Sequence, residues 1–237
     1  MRLDKFLTVT GTASRSEAAK AIRRGAVLVD GKAVSSPSIQ IDPESCTVVY
    51  CGEQVEYRKF TYIMMNKPMG VVSATEDGRD KTVLDLLPEK LKRLNLFPCG
   101  RLDKNTVGLM LLTDNGELAH RLLAPKSHVS KSYRFEAAHE LTAEDKKALE
   151  NGVYIAGGYL TKPASVALDS EGTSGIITIT EGKYHQIKYM FEAVGNKITA
   201  LGRLTFGPLA LDETLAAGEW RFLTDDEIKQ LESNGRN

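Results

Sequence analysis

The chain has little of several residue types on which familiar chemistries depend. It has three cysteines, Cys46, Cys51 and Cys99, with no Cys-x-x-Cys pair. An odd, unpaired set argues against a disulfide framework and fits buried or idle thiols. The four histidines, His120, His128, His139 and His185, are scattered without ligands at metal spacing, so ordinary structural roles are expected and no metal site. There is no Gly-x-x-x-x-Gly-Lys-Ser/Thr loop, Gly-x-Gly-x-x-Gly, His-Glu-x-x-His or Gly-x-Ser-x-Gly, so nucleotide-driven and zinc-dependent mechanisms are poor fits and no cofactor is expected. The longest nearly unbroken apolar stretch, Val107 to Leu112, falls far short of the ~18 residues of a membrane span. The Met-Arg-Leu-Asp-Lys start lacks a signal-peptide core, and a soluble cytoplasmic protein without a membrane partner is expected.

Net charge is also missing, with 31 basic residues against 31 acidic ones. No overall field draws the protein to nucleic acid or anionic lipid, so any such attraction must be local. The remaining composition, 42% hydrophobic and 26% charged over 237 residues, is that of one or two compact domains. No repeat or low-complexity tract interrupts it.

Once the chain is divided, the neutral total proves to hide a basic end. Residues 1–34 carry seven basic side chains (Arg2, Lys5, Arg15, Lys20, Arg23, Arg24, Lys32) and three acidic ones, whereas residues 35–57 carry four acids and no Lys or Arg. Residues 205–237 hold seven acids against three bases. Within the basic segment, Leu3, Phe6 and Leu7 fall on one face of a short helix. Ser14 and Glu17 fit a capping box for a second helix with Ala18, Ala19 and Ile22 on its apolar face and Gly25 at its end. Lys20, Arg23 and Arg24 project together from that helix. Val27 to Val34 then places Asp30-Gly31 between two apolar runs, a hairpin signal. On its own the cationic cluster would also suit a solvated helix face.

A second domain is expected from a short polar joint at Arg58 and Lys59, giving domains 1–58 and 59–237. Strands are predicted at 62–65, 70–73, 108–113, 132–137, 165–168, 175–180 and 220–223. A helix is predicted over 184–194 from the spacing of Ile187, Met190, Phe191 and Val194, and capping boxes at Thr142/Asp145 and Thr224/Glu227 start two more. The fold class is α+β with a mixed, largely antiparallel sheet.

One segment stands apart. Residues 99–116, Cys-Gly-Arg-Leu-Asp-Lys-Asn-Thr-Val-Gly-Leu-Met-Leu-Leu-Thr-Asp-Asn-Gly, run from a polar loop through an apolar strand to a turn. Asp103 there fits either a plain ion pair with Arg101 or Lys104, or a partly desolvated carboxylate held ionised by a nearby cation.

Two resemblances bear on these choices. The segments Arg-Leu-Asp-Lys-Phe-Leu, Ser-Arg-Ser-Glu-Ala and Val-Leu-Val-Asp-Gly-Lys-Ala-Val in the first quarter of the chain resemble the S4 RNA-binding domain. That likeness implies contact with structured RNA through Arg15, Lys20, Arg23 and Arg24, by phosphate and shape rather than base identity. Gly-Arg-Leu-Asp-x-x-Thr-x-Gly-Leu-x-Leu-Leu-Thr-x-x-Gly, Lys131-Ser132-Tyr133 and Glu181 to Gly195 resemble, in order, three motifs of the RsuA-type pseudouridine synthases.

The second likeness implies that Asp103 is the essential aspartate, which attacks C1′ or takes the C2′ proton of a uridine. It implies further that Lys188 is the basic partner, that Tyr133 lies against the uracil, and that Lys131 and Arg101 contact the substrate, Arg101 as the base leaves its stack. Where many relatives carry a second basic residue after Lys188, this chain has Tyr189, and Cys99 occupies a variable position. The segments 125–133, 159–164 and 183–186 are similar to the small-subunit branch. They imply action on uridine 516 of 16S rRNA in a precursor particle, with a 23S uridine as the alternative and a non-catalytic rRNA-binding assembly factor as the alternative of another class; separately, a monomer is expected.

Overall fold

The computed structural model describes residues 1–234; the last three residues of the expected second domain lie outside the described residues. The chain divides into two compact units, one of residues 1–61 with 87–96 and one of residues 62–86 with 97–237.

The first unit opens with α1 (Leu3–Val9), which buries Leu3, Phe6 and Leu7, and α2 (Arg15–Arg23), which buries Ala18, Ala21 and Ile22. The expected capping box is present: Ser14 Oγ accepts from the Glu17 amide at 3.3 Å, and Glu17 Oε2 accepts from the Ser14 amide at 2.7 Å. A four-stranded antiparallel sheet follows, ordered β2-β1-β3-β4, from β1 (Val27–Val29), β2 (Lys32–Ala33), β3 (Val48–Tyr50) and β4 (Glu53–Val55). Val29 pairs with Lys32 across Asp30 and Gly31, both at positive φ (50° and 75°), the geometry that a two-residue hairpin with the strands' own twist requires. Apolar faces of both helices and the sheet share one core. Segment 87–96, with α3 (Glu89–Lys92), belongs to this unit, and Arg93 pairs with Glu17 at 3.2 Å.

The second unit is built on an eight-stranded sheet. Its strands are β5 (Tyr62–Lys67), β6 (Phe97–Pro98), β7 (Val107–Thr113), β8 (Lys131–Ala137), β11 (Ser165–Leu168), β12 (Ser174–Ile179), β13 (Ile198–Arg203) and β16 (Trp220–Phe222). Four two-residue strands form separate pairs: β9 (Tyr154–Ile155) with β10 (Tyr159–Leu160), and β14 (Thr205–Phe206) with β15 (Leu209–Ala210). The main order is β11-β12-β8-β13-β7-β5-β16, with β6 beside β7. Every pairing in that sheet is antiparallel except β13 with β7.

Central β7 is buried along nearly its whole length, whereas β8 alternates, turning Tyr133, Phe135 and Ala137 inward. Tyr62, Met64, Leu109 and Leu111 pack in one cluster with Leu118 and Leu122 of α4 (Gly116–Leu123) and Leu231 of α7 (Asp225–Ser233). Phe135 meets Phe191 of α6 (Gln186–Ala193) edge to face at 4.8 Å. Both remaining capping boxes form, on α5 (Ala143–Asn151) and α7. No helix among the described residues is long and apolar enough to cross a membrane.

Three expectations need correction. Residues 70–73 do not form a strand; only Val72 bridges, to Thr82, because the segment is held by single backbone bonds to neighbouring loops. The turn at Asn115 is also a helix start: its side chain accepts from the Leu118 amide at 3.0 Å and caps α4. The helix expected from Tyr184 begins at Gln186, because His185 sits in the left-handed region at φ 49°.

At the parallel junction Gly108 has φ 97°, and a Cβ there would lie 2.3 Å from the carbonyl oxygen of Arg203. Backbone cannot give way as a flexible side chain can. Gly108→Ala is expected to destabilise the protein by on the order of 3 kcal/mol in a denaturant titration, and a loss below about 0.5 kcal/mol would show that the junction tolerates a methyl group.

Candidate active site

An open cleft of ≈ 670 Å³ in the second unit is lined from several directions by Arg101, Asp103, Lys131, Tyr133, Lys188 and Arg203. Asp103 sits on the loop between β6 and β7. That loop is held from below. Ser73 Oγ donates to Leu102 O at 2.8 Å and accepts from the Leu102 amide at 3.0 Å, and the Thr106 amide closes a turn onto Asp103 O at 3.0 Å.

Lys67, at the end of β5 and fully buried, donates to the carbonyl oxygens of Pro68 (3.1 Å), Lys104 (3.3 Å) and Thr106 (2.9 Å). Three carbonyls match the three donors of an ammonium group. Burial nevertheless pushes the Lys67 amine down to about 8, opposed by the negative charge of Asp103.

Facing this loop, α6 supplies Lys188, whose Nζ donates to Asp103 Oδ2 at 2.6 Å. His185, the residue that caps α6, places Nε2 3.4 Å from Asp103 Oδ1, so each carboxylate oxygen meets a different nitrogen. The pair is neither sealed nor free: the Asp103 and Lys188 side chains are 26% and 29% exposed, so a ligand entering the cleft can reach the carboxylate while the ammonium holds its orientation. The approach to α6 is pinned by Gln186, which accepts from the Lys183 amide at 2.9 Å and donates to Glu181 Oε1 at 2.7 Å. Tyr159 donates its hydroxyl to Glu181 Oε2 at 2.7 Å.

The cleft floor comes from β8 and β13. Tyr133 and Arg203 are directly opposite across that antiparallel pair. Arg203 is 1% exposed, donates Nε to Leu109 O at 2.7 Å and lies 5.2 Å from the Phe206 ring; its Nη2 has no hydrogen-bond partner among the described residues. Lys131 donates to Val129 O at 2.8 Å and lies 5.5 Å from the same ring. Burial, then repulsion from Arg203, pushes its amine down to about 8. Cys99 is fully buried, and burial pushes its thiol up to about 11.

Asp103 and Lys188 are thus in direct contact, while Tyr133, Lys131 and Arg101 line the same cleft, Arg101 with an exposed side chain. Arg15, Lys20, Arg23 and Arg24 are exposed on the first unit. Sequence reasoning missed His185, Lys67 and Arg203. Lys67 had a signal, a charged residue at the end of an apolar strand; His185 and Arg203 become neighbours of the site only through the fold.

Likeness to known proteins agrees with this geometry. A family model described as RNA pseudouridylate synthase matches residues 61–193, and one described as S4 domain matches residues 1–45. The chain is 50% identical over 234 residues to the uncharacterized RNA pseudouridine synthase YtzG of Bacillus subtilis, covering 98% of each. It is 41% identical over 232 residues to the ribosomal small subunit pseudouridine synthase A of Vibrio cholerae, covering 98% of this chain and 99% of that one. A crystal structure of a pseudouridylate synthase aligns with a TM-score of 0.69 and 38% identity over 98% of this chain and 99% of that chain. The chain belongs to the RNA pseudouridylate synthase family. Within it, the S4 domain and the full-length likeness mark an RsuA-type enzyme that acts on RNA.

The half-buried Lys131 amine gives the site a pH signature. Its folded value lies below that of a free lysine, so between about pH 8 and 10.5 the unfolded chain binds the extra proton and the stability contribution rises with pH. Relative to Lys131→Met, wild type is expected to gain on the order of 1–2 kcal/mol between pH 7.5 and 10 in paired denaturant titrations. A flat or falling difference would contradict a cation desolvated in the native state.

Proposed function

We propose that this cytoplasmic enzyme converts uridine 516 of 16S rRNA to pseudouridine in a small-subunit precursor, with Asp103 as the group that acts on the ribose. The contact of Lys188 Nζ with Asp103 Oδ2 at 2.6 Å in an open cleft carries the reading. Full-length likeness to a relative named for the small ribosomal subunit supports the choice of RNA.

The reaction breaks the bond between N1 and C1′, turns the base and joins C5 to C1′, with no net redox change. The electron pair of the broken bond leaves with the uracil; when C5 bonds to C1′ it displaces the Asp103 oxygen, or the glycal regains its C2′ proton, and the C5 proton is then lost to solvent while N1 takes one up, so that Asp103 is regenerated. Positive charge develops on the sugar meanwhile, and the Asp103 carboxylate meets it, either by attack on C1′ or by accepting the C2′ proton. Lys188 orients and balances that carboxylate.

Tyr133, 7% exposed and on the cleft floor, offers a flat ring to the uracil and a hydroxyl to the C5 proton. The target must leave its stack to reach these groups, and the exposed Arg101 is placed at the cleft to contact the backbone or fill the gap. Arg15, Lys20, Arg23 and Arg24 hold the surrounding RNA through its phosphates.

Release of tritium from uridine C5 tests the reading. Wild type is expected to release it from small-subunit RNA and not from 23S transcripts. Asp103→Asn should lower the rate by about 10³-fold or more and Lys188→Met by about 10²-fold, with RNA binding retained. Release from 23S RNA alone would move the target, and an active Asp103→Asn protein would remove Asp103 from the chemistry.

A further inference from the structure

At the edge of the cleft Tyr184 is 67% exposed, whereas the other tyrosines that line it, Tyr133 and Tyr159, are buried and half-buried. It does not hang loose. Its ring stacks on the His185 imidazole with centroids 3.8 Å apart and planes 17° from parallel, and that imidazole in turn places Nε2 3.4 Å from Asp103. A flat π surface is therefore fixed one ring away from Asp103, with its outer face in water.

The surroundings are cationic and aromatic. Lys183, the preceding residue, lies 4.5 Å from the Tyr159 ring, Lys162 reaches His128 Nδ1 at 2.9 Å, and Arg101 is exposed; Lys183, Tyr159, Lys162 and Arg101 all line the cleft. Exposed aromatic rings interleaved with cations are the pattern by which proteins hold unstacked nucleotides, the rings taking base faces and the cations the backbone.

We propose that Tyr184 is a stacking platform for the nucleobase next to the target uridine. The inference rests on reading the cleft as the place where that uridine is held. Extruding one nucleotide removes a stacking partner from its neighbour, and an outward-facing ring beside the cleft replaces it. Because Tyr184 also lies flat on His185, a base seated there restrains the imidazole beside Asp103 and couples the neighbour's position to the order of the site.

The test pairs a variant with a substrate that lacks the partner. Tritium release at subsaturating RNA is measured for wild type, Tyr184→Ala and Tyr184→Phe on a small-subunit rRNA fragment, and on fragments with an abasic residue immediately 5′ or 3′ of the target. Tyr184→Ala is expected to lose about 5- to 100-fold on intact RNA, Tyr184→Phe to stay near wild type, and the Ala penalty to vanish on one of the abasic fragments. A penalty of equal size on all three fragments, or none on intact RNA, would overturn the platform. If Asp103→Asn is inactive yet the penalties are equal, only the platform falls; if Asp103→Asn remains active, the reading beneath it falls instead.

Discussion

The contact between the Asp103 carboxylate and the Lys188 ammonium is the constraint around which the second unit is organised. A lone ion pair on a surface contributes little, because water screens it and two long side chains must be ordered to make it. Here neither partner is free to wander. Asp103 is on a loop tied down by Ser73 and Lys67, and Lys188 is on a helix whose apolar stripe is buried against the sheet. The partial exposure of both groups leaves the carboxylate available to a ligand, and the second nitrogen, from His185, fixes the other oxygen.

The loop can be held this way because of what lies under it. β7 carries the chain out of the loop into the middle of the sheet, and its parallel pairing with β13 begins at Val107 and Gly108. That junction needs a glycine on one strand, and it brings Arg203 beside Leu109 and opposite Tyr133. Desolvated cations are costly when unpaired, and the buried Arg203 and half-buried Lys131 on this floor contact carbonyl oxygens and an aromatic ring among the described residues. The site therefore combines a paired carboxylate with desolvated positive groups in one cleft, an arrangement suited to a substrate in which charge separates and then recombines.

Much of this was legible in the sequence where the signals are local. The hairpin at Asp30-Gly31, the capping boxes at Ser14, Thr142 and Thr224, and the apolar stripe of α6 each depend on residues a few positions apart, and each formed. The motif around Asp103, with Tyr133 and Lys188, identified groups that the fold does gather in one cleft. β13 was missed because Ile198-Thr-Ala-Leu-Gly-Arg203 has few large apolar residues and becomes a strand by pairing between β8 and β7, a non-local event. α4 was hidden by Asn115, a residue that serves equally in a turn and as a helix cap. His185 gave no signal because a left-handed residue and a contact across 82 positions are properties of the folded chain.

The central claim is spatial: the position-103 side chain meets the ribose of an extruded uridine. A crystal structure of Asp103→Asn bound to a small-subunit rRNA fragment containing the target tests it most directly. The account predicts a flipped uridine with C1′ or C2′ about 3.5 Å from the residue-103 side chain and its base against Tyr133. A target nucleotide still stacked in the RNA, or one seated in the cleft with its sugar turned away from position 103, would contradict it.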